Sequence, residues 1–165
     1  MAKIKLDKTA VYKYQEYLDK YKNCPSEKFN ELDCSAFRWV FKDPTDFRNF
    51  LPVLEMNPKR LNSKKFDKDT MKCRGYALSL YESEQEAISS HESIFSKNIK
   101  RKPELISKTT THISKVTIKK TDGKRDDCDK YGHFDFYEYV GCDFYKQIIE
   151  TKEIDWTCKY WKEKK

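Results

Sequence analysis

Glycine and proline are scarce in this chain of 165 residues, which has four glycines and five prolines. The glycines stand far apart, at Gly75, Gly123, Gly132 and Gly141. Walker-type phosphate loops and the dinucleotide fingerprint need clustered glycines, so P-loop and Rossmann enzymes are excluded. The Gly-x-Ser-x-Gly elbow, the His-Glu-x-x-His pair and the zinc deaminase signature are also absent from the sequence.

Long apolar runs are missing as well. The mean hydropathy is -0.95, and no window approaches the roughly 20 apolar residues of a membrane span, so no membrane partner is expected. The first seven residues contain no apolar signal-peptide core. The sequence therefore predicts a cytoplasmic protein whose thiols stay reduced.

Metal-ligand spacing is also lacking. No Cys-x-x-Cys occurs, and the three histidines are more than twenty residues apart, so neither a zinc site nor a metal cofactor is expected. Six cysteines would suggest disulfides in a secreted chain, but the expected compartment favours free cysteines that pack as small apolar residues. They are Cys24, Cys34, Cys73, Cys128, Cys142 and Cys158.

Aromatic residues, by contrast, are abundant, with 11 Tyr, 10 Phe and 3 Trp. Disordered chains of this polarity lack such content, so the sequence predicts one folded domain over 1–165 with an aromatic core. We expect an N-terminal helix within 1–25, a core over 36–155 and a C-terminal tail over 156–165.

The net charge of +7 is unevenly distributed. Residues 59–74 carry seven Lys or Arg against two Asp, and residues 97–125 carry ten against two acids. The segments 75–96 and 126–155 are acidic. Basic segments attract nucleic acid or a nucleotide-like anionic small molecule; a lysine-rich solvated surface is the alternative.

Three helices are predicted from apolar spacings of three and four residues. The first covers 9–22 with Thr9 as N-cap. The second covers 84–97 behind a capping box of Ser83 and Glu86, and the third covers 143–152. The inner face of the second helix is predicted to comprise Ala87, Ile88, His91, Ile94 and Phe95.

Alternating or β-branched runs predict four strands, at 36–41, 74–81, 110–119 and 134–140. A long irregular region spans 43–72, either a binding loop or a short helix plus loop, and a hairpin turn is predicted at 121–124. The order of elements predicts an α+β fold, a single domain with a mixed, mostly antiparallel sheet and about three helices.

Polar residues on these strands are the candidates for chemistry. Arg38 lies in an aromatic strand, where a guanidinium needs a carboxylate, a phosphate or a ring face. Ser79 ends the second strand, His133 is a candidate general base, and Glu138 is a carboxylate in an apolar setting. The alternatives are a solvated arginine, an ordinary strand-end serine, a turn histidine and a surface glutamate.

An arginine on an early strand, Tyr-x-x-Ser on a strand leading into a helix and a glutamate on a late strand resemble the ADP-ribosyltransferase fold. Residues 76–87 are also similar to the strand-plus-helix of small NAD-consuming bacterial toxins. The resemblance implies that Arg38 binds the NAD phosphates, Ser79 lines the nicotinamide pocket and Glu138 stabilises the oxocarbenium-like state. It makes NAD the expected substrate.

The same resemblance suggests three further NAD-binding residues, namely Arg60 as a second phosphate ligand, Tyr76 and His133. The chain departs from the family in lacking the Ser-Thr-Ser triplet and the Glu-x-Glu or Gln-x-Glu pair, since position 136 is Phe. These departures argue against transfer to protein arginine and leave a degenerate, non-catalytic relative open.

Two functions are therefore expected. One is an NAD-binding domain of the ADP-ribosyltransferase or NAD-glycohydrolase type. The alternative is a small cytosolic binding protein without enzymatic activity, an accessory or inhibitor from a phage or mobile element that contacts nucleic acid or a partner protein. The NAD hypothesis requires Arg38, Ser79 and Glu138 to meet in one cleft.

Overall fold

The computed structural model describes residues 10–156, which form one six-stranded sheet with helices around it. The strands lie in the order β4-β5-β2-β1-β3-β6, and all paired neighbours are antiparallel. The predicted α+β class is confirmed. Strand bounds are Cys34–Val40 (β1), Leu78–Tyr81 (β2), His112–Ile118 (β3), Gly123–Arg125 (β4), His133–Glu138 (β5) and Ile148–Glu153 (β6).

The helices are short apart from one. The α-helices are Gln15–Leu18 (α1), Val53–Met56 (α2), Asp69–Arg74 (α3) and Glu84–Arg101 (α4). Short 3-10 helices occur at Pro58–Asn62, Lys64–Phe66, Pro103–Lys108 and Phe144–Lys146.

The capping box at the start of α4 is confirmed. The backbone N–H of Glu86 donates to the hydroxyl of Ser83 at 3.2 Å, and that hydroxyl donates to the Glu86 carboxylate at 2.8 Å. Ala87 and His91 are buried as predicted, but Ile94 is 55% exposed, so its assignment to the inner face was wrong.

Both faces of the sheet are covered. One face, here the aromatic face, carries the main core, with Phe50 and Phe144 packed over the strands. The other face, here the helix face, packs against α4 through Trp39, Tyr81 and Ile113. A separate tyrosine-rich cluster joins the N-terminal segment to α2, α3 and β5.

The predicted N-terminal helix over 9–22 was largely wrong. Only Gln15–Leu18 is helical, because the chain before it pairs with the end of β5. Lys13 N–H donates to the Glu138 carbonyl at 2.8 Å, and Val140 N–H donates to the Val11 carbonyl at 2.9 Å. Thr9, the predicted N-cap, lies outside the described residues.

The strand predicted over 74–81 is shorter than expected and begins at Leu78. Residues 69–74 form α3, and Gly75 N–H donates to the carbonyls of Met71 and Lys72. The region 43–72 contains α2, two 3-10 helices and the start of α3, so it has more local structure than a single helix plus loop.

Two predictions near the C-terminal half were wrong. The turn at 121–124 does not join a hairpin, because β4 pairs with β5 rather than with β3. The helix over 143–152 is replaced by a 3-10 turn and by β6, which pairs with the edge of β3. Long-range pairing of β6 with β3, in which the β-branched Ile148 lies opposite Val116, outweighs the helical spacing of this segment.

The expectation that all thiols stay reduced was also wrong, since Cys24 and Cys73 form a disulfide. The fold places the turn after α1 against α3, which brings the two Cα atoms to 5.7 Å, a distance that a disulfide can span. Cys34, Cys128 and Cys142 are free. Cys158 lies outside the described residues, as does the tail from 157 onward.

Within residues 10–156, no helix is both long enough and apolar enough to cross a membrane.

Candidate functional site

Strand alternation separates the predicted site residues. Arg38 and Glu138 project from the aromatic face, in register with the core residues on their strands. Ser79 and His133 project from the helix face, and they lie on the adjacent strands β2 and β5. Ser79 and Glu138 therefore do not meet, and the single cleft expected for Arg38, Ser79 and Glu138 is not formed.

Arg38 is held by three backbone carbonyls. Its Nε donates to the Asn49 carbonyl at 2.6 Å, Nη1 to that of Ser79 at 2.8 Å and Nη2 to that of Leu51 at 3.1 Å. Burial lowers its pKa to about 10, so the group stays charged at neutral pH. The expected acceptor was a carboxylate, a phosphate or a ring, but these acceptors are neutral carbonyls.

The position of Arg38 follows from the short pairing of β1 with β2, whose register has the single pair Phe37 and Tyr81. Beyond this pair the strands diverge, and the guanidinium bridges the Ser79 carbonyl to the loop over 49–51. The Asn49 side chain fixes that loop by accepting from Phe41 N–H at 2.7 Å. An arginine thus replaces missing sheet hydrogen bonds.

Two adjoining cavities, of about 320 and 580 Å³, share Trp39 and Ser79 in their walls. We call them together the Trp39 groove. The indole of Trp39 is fixed, because its N–H donates to the Ala87 carbonyl at 2.8 Å and its ring stacks on Tyr81. Charged and polar residues of the groove include Arg38, Lys65, Ser79, Lys108, Asp129 and His133.

Positive charge predominates in the Trp39 groove. Lys65 and Lys108 have no carboxylate of residues 10–156 at ion-pair distance, and neither has Arg38. Arg48 also lines the groove, but its charge is paired with Asp46 at 2.6 Å. An anion in the groove would therefore find three cations that no carboxylate of residues 10–156 pairs at ion-pair distance.

Ser79 and His133 are in contact on the helix face. Ser79 Oγ lies 3.0 Å from His133 Nε2, within hydrogen-bond distance, and the Ser79 residue is exposed to the larger cavity. The structure thus joins two of the predicted residues, although it leaves both away from Glu138.

Glu138 lies in another cavity, of about 430 Å³, on the aromatic face. Its side chain is 2% exposed, its Oε1 accepts from Lys13 Nζ at 2.8 Å, and its Oε2 has no hydrogen-bond partner within the described chain. Burial raises its pKa, against the opposing effect of Lys13. The prediction of a carboxylate in an apolar setting is confirmed for this residue, and the surface alternative is excluded.

Tyr76 and Arg60 lie away from the Trp39 groove. Tyr76 is buried in the tyrosine-rich cluster, stacked on Tyr17 with ring centroids 4.8 Å apart, and burial raises its pKa to about 12. The Arg60 guanidinium lies 5.7 Å from the centre of the Phe66 ring. Neither side chain lines the two cavities of the groove.

Sequence reasoning missed Lys65, Lys108 and Asp129 as individual groove residues. The two lysines belong to the basic segments 59–74 and 97–125, and this block charge was their signal in the sequence. Asp129 precedes a glycine turn, where its side chain accepts backbone N–H groups at 2.8 Å from Tyr131 and 3.1 Å from His133.

In the part of the chain that the structure describes, no group of three or more His, Cys, Asp or Glu side chains is arranged to hold a metal ion. His91 is buried on the inner face of α4, and its pKa is lowered to about 4, chiefly by desolvation. It packs against the Trp39 and Trp156 rings rather than opening to a cavity.

Comparisons of this chain with protein-family models, with curated proteins and with solved structures found no match. The resemblance to the ADP-ribosyltransferase fold therefore stays a prediction from the sequence.

Proposed function

We propose that the protein binds a nucleotide-like anionic molecule in the Trp39 groove. The observation that supports this most directly is the Arg38 guanidinium, whose three acceptors are neutral carbonyls. A half-buried cation with no carboxylate at ion-pair distance is stabilised by an anionic partner. Three of its five N–H donors are occupied, so two remain for a ligand.

The flanks of the groove favour a phosphate-bearing ligand. Lys65 lines the larger cavity and Lys108 the smaller one, on either side of Trp39. Their charges are not neutralised by an acid of residues 10–156. Lysine binds phosphate as a point charge, and arginine adds directed N–H donors.

The rest of the lining suits a base and a sugar. Trp39, Phe41 and Phe95 provide aromatic surface in the smaller cavity, where a planar base can make apolar contact. Serine hydroxyls of α4 and Ser79 line the larger cavity and can hydrogen-bond a ribose. Ligand sites commonly combine such an apolar wall with a few polar groups.

The proposal is for nucleotide binding without nicotinamide cleavage. Arg38, Ser79 and Glu138 do not meet in one cleft, so the condition for the NAD-cleaving activity is not met. Cleavage of the glycosidic bond needs a negative group near the developing positive charge, whereas Glu138 lies in another cavity and pairs with Lys13. We therefore expect that NAD added to the protein releases no nicotinamide.

Isothermal titration with NAD, ADP-ribose and AMP tests this function. Lys65→Gln and Lys108→Gln are each expected to weaken NAD binding by roughly fivefold, the value of about 1 kcal/mol for one exposed charge contact. The matched control is Lys28→Gln, since Lys28 is exposed and does not line the groove. Absence of binding by all three nucleotides would eliminate the proposal.

The alternative, a nucleic-acid or protein-binding role for the whole basic surface, gives a different result in the same experiment. A diffuse basic surface would make Lys28→Gln as harmful as Lys108→Gln. Its affinity for an oligonucleotide would also fall steeply with salt, because several counterions are released on binding.

The sequence predicts a cytoplasmic location, and this stays a prediction. The Cys24–Cys73 disulfide favours an oxidising compartment. Binding in the Trp39 groove does not depend on which compartment holds the protein, because neither cysteine lines it.

A further inference from the structure

Ser79, His133 and Asp129 form a linear arrangement at the edge of the larger cavity of the Trp39 groove. Ser79 Oγ lies 3.0 Å from His133 Nε2, and His133 Nδ1 lies 3.8 Å from Asp129 Oδ2. All three residues line the 580 Å³ cavity, and the Ser79 residue is exposed within it. A hydroxyl, an imidazole and a carboxylate thus follow one another in the order that nucleophilic catalysis uses.

The Asp129 carboxylate is held in place by the backbone. Its Oδ1 accepts N–H from Tyr131 at 2.8 Å and from His133 at 3.1 Å, which leaves Oδ2 towards the imidazole. The turn requires Gly132, whose φ is 70° and whose added Cβ would collide with the Glu86 carboxylate. The Glu86 side chain in the first turn of α4 therefore lies directly against the turn that carries His133.

A second carboxylate, that of Asp135, lies near His133, but it is already paired with Arg74. Asp135 Oδ1 lies 3.9 Å from His133 Nε2, while Asp135 Oδ2 accepts from Arg74 Nε at 2.6 Å. Asp129 has no Lys or Arg of residues 10–156 within ion-pair distance. It is therefore the acid available to stabilise a positively charged His133.

We propose that Ser79 is a nucleophile for acyl transfer from a carboxylic ester, with His133 as its general base and Asp129 as a positioning residue. This inference goes beyond nucleotide binding and does not require it. Ester chemistry suits the site because the reacting hydroxyl faces an open cavity, and the base contacts that hydroxyl directly.

The reaction balances with groups present at the site. His133 Nε2 takes the proton of the Ser79 hydroxyl as Oγ bonds to the ester carbonyl carbon. The bond from that carbon to the alcohol oxygen breaks, and the alcohol leaves with the proton from Nε2. Water then attacks the acyl-serine in the same way, which releases the acid and restores Ser79.

A fluorophosphonate probe tests the proposal without any nucleotide. The serine Oγ displaces fluoride from phosphorus, so the adduct has a defined mass and site. We expect labelling at Ser79, found by peptide mass spectrometry, and none in Ser79→Ala. Ser79→Ala keeps the Arg38 contact, which uses the Ser79 backbone carbonyl, so the variant should fold.

The roles of His133 and Asp129 are tested by the labelling rates of separate variants. His133→Gln is expected to slow labelling at least about 100-fold, the usual contribution of a general base. Asp129→Asn keeps an oxygen for the Tyr131 and His133 N–H groups but removes the charge. It should lower the maximal labelling rate and leave the probe concentration for half-maximal rate unchanged.

The matched control is Ser35→Ala, because Ser35 is an exposed serine of β1 that does not line the Trp39 groove. Its labelling rate should equal that of the unaltered chain. Equal labelling of Ser35 and Ser79, labelling of Ser79 that persists in His133→Gln, or no labelling of the folded protein would each overturn the proposal. Nucleotide titration of the unaltered chain separates this failure from failure of the binding function.

Discussion

Glu138 is a buried carboxylate of which only one oxygen has a hydrogen-bond partner among residues 10–156. One carboxylate oxygen accepts from Lys13, and the other has no partner among residues 10–156. An unsatisfied buried oxygen destabilises a fold by about 1–3 kcal/mol. Glu138 is therefore a position where the native residue is not the most stabilising one.

Replacing Glu138 by Gln is expected to change how stability depends on pH. Burial raises the folded-state pKa of Glu138 above its ordinary value of 4.5. As pH rises above 4.5, the unfolded chain ionises first, so the native carboxyl loses stabilisation until the folded state has ionised too. Unfolding by urea should show Glu138→Gln more stable, relative to the unaltered chain, at pH 8 than at pH 4.

The control for this experiment is Glu16→Gln, an exposed glutamate in the first turn of α1. Its stability relative to the unaltered chain should stay nearly constant between the two pH values. If Glu138→Gln behaves like Glu16→Gln, the raised pKa of Glu138 is wrong.

Residue-scale reasoning identified the unusual side chains but not their partners. Arg38 was conspicuous because a guanidinium among aromatic residues must be satisfied, and the structure does satisfy it. Its acceptors lie 11, 13 and 41 residues away along the chain. Local sequence patterns do not reveal contacts over such distances. For the same reason, the sequence did not show that Lys65 and Lys108 line the same groove as Arg38.

At the scale of elements, α4 begins where its capping box predicts, because the cap is a local interaction. Ser83→Ala removes the hydroxyl that accepts from Glu86 N–H. We expect a loss of about 1 kcal/mol in the free energy of unfolding, measured by urea denaturation. Ser89→Ala, at an exposed position inside α4, is the control and should leave stability unchanged or slightly raised.

An equal loss in the free energy of unfolding of Ser83→Ala and Ser89→Ala would mean that the capping hydrogen bond does not stabilise α4. The comparison is informative because both changes remove one hydroxyl from the same helix.

The elements that were wrongly predicted lie where a segment joins the sheet across a long sequence distance. Residues 11–13 pair with the end of β5, and Ile148–Glu153 pairs with β3. Both segments have helix-like spacing of apolar residues, but the sheet edges offer backbone hydrogen bonds that local periodicity cannot reveal. Helix α4 was predictable because its signals lie within one turn.

At the scale of the whole molecule, one all-antiparallel sheet carries two separate polar sites on opposite faces. The Trp39 groove lies by α4, and the Glu138 cavity lies under Phe50 and Phe144. A chemistry that needs Arg38, Ser79 and Glu138 together is divided by this sheet. The proposed functions therefore use the Trp39 groove, whose walls include Arg38 and Ser79 but not Glu138.

The disulfide between Cys24 and Cys73 ties the N-terminal segment to α3 across 49 residues of sequence. A loop of that size makes a crosslink worth about 2–4 kcal/mol by limiting the unfolded chain. Cys24→Ala should therefore lower Tm by roughly 5–15 °C in calorimetry. Peptide mapping without reductant should detect the linked Cys24 and Cys73 peptides.

Cys128→Ser is the matched control for this prediction, since Cys128 is free and exposed and its thiol donates to the Glu82 carboxylate. Its Tm should stay within about a degree of the unaltered chain because surface substitutions rarely exceed ±0.5 kcal/mol. Reductant should lower the Tm of Cys128→Ser and leave that of Cys24→Ala unchanged. Absence of the linked peptides, with a Tm insensitive to reductant, would instead support reduced thiols, as the sequence alone suggested.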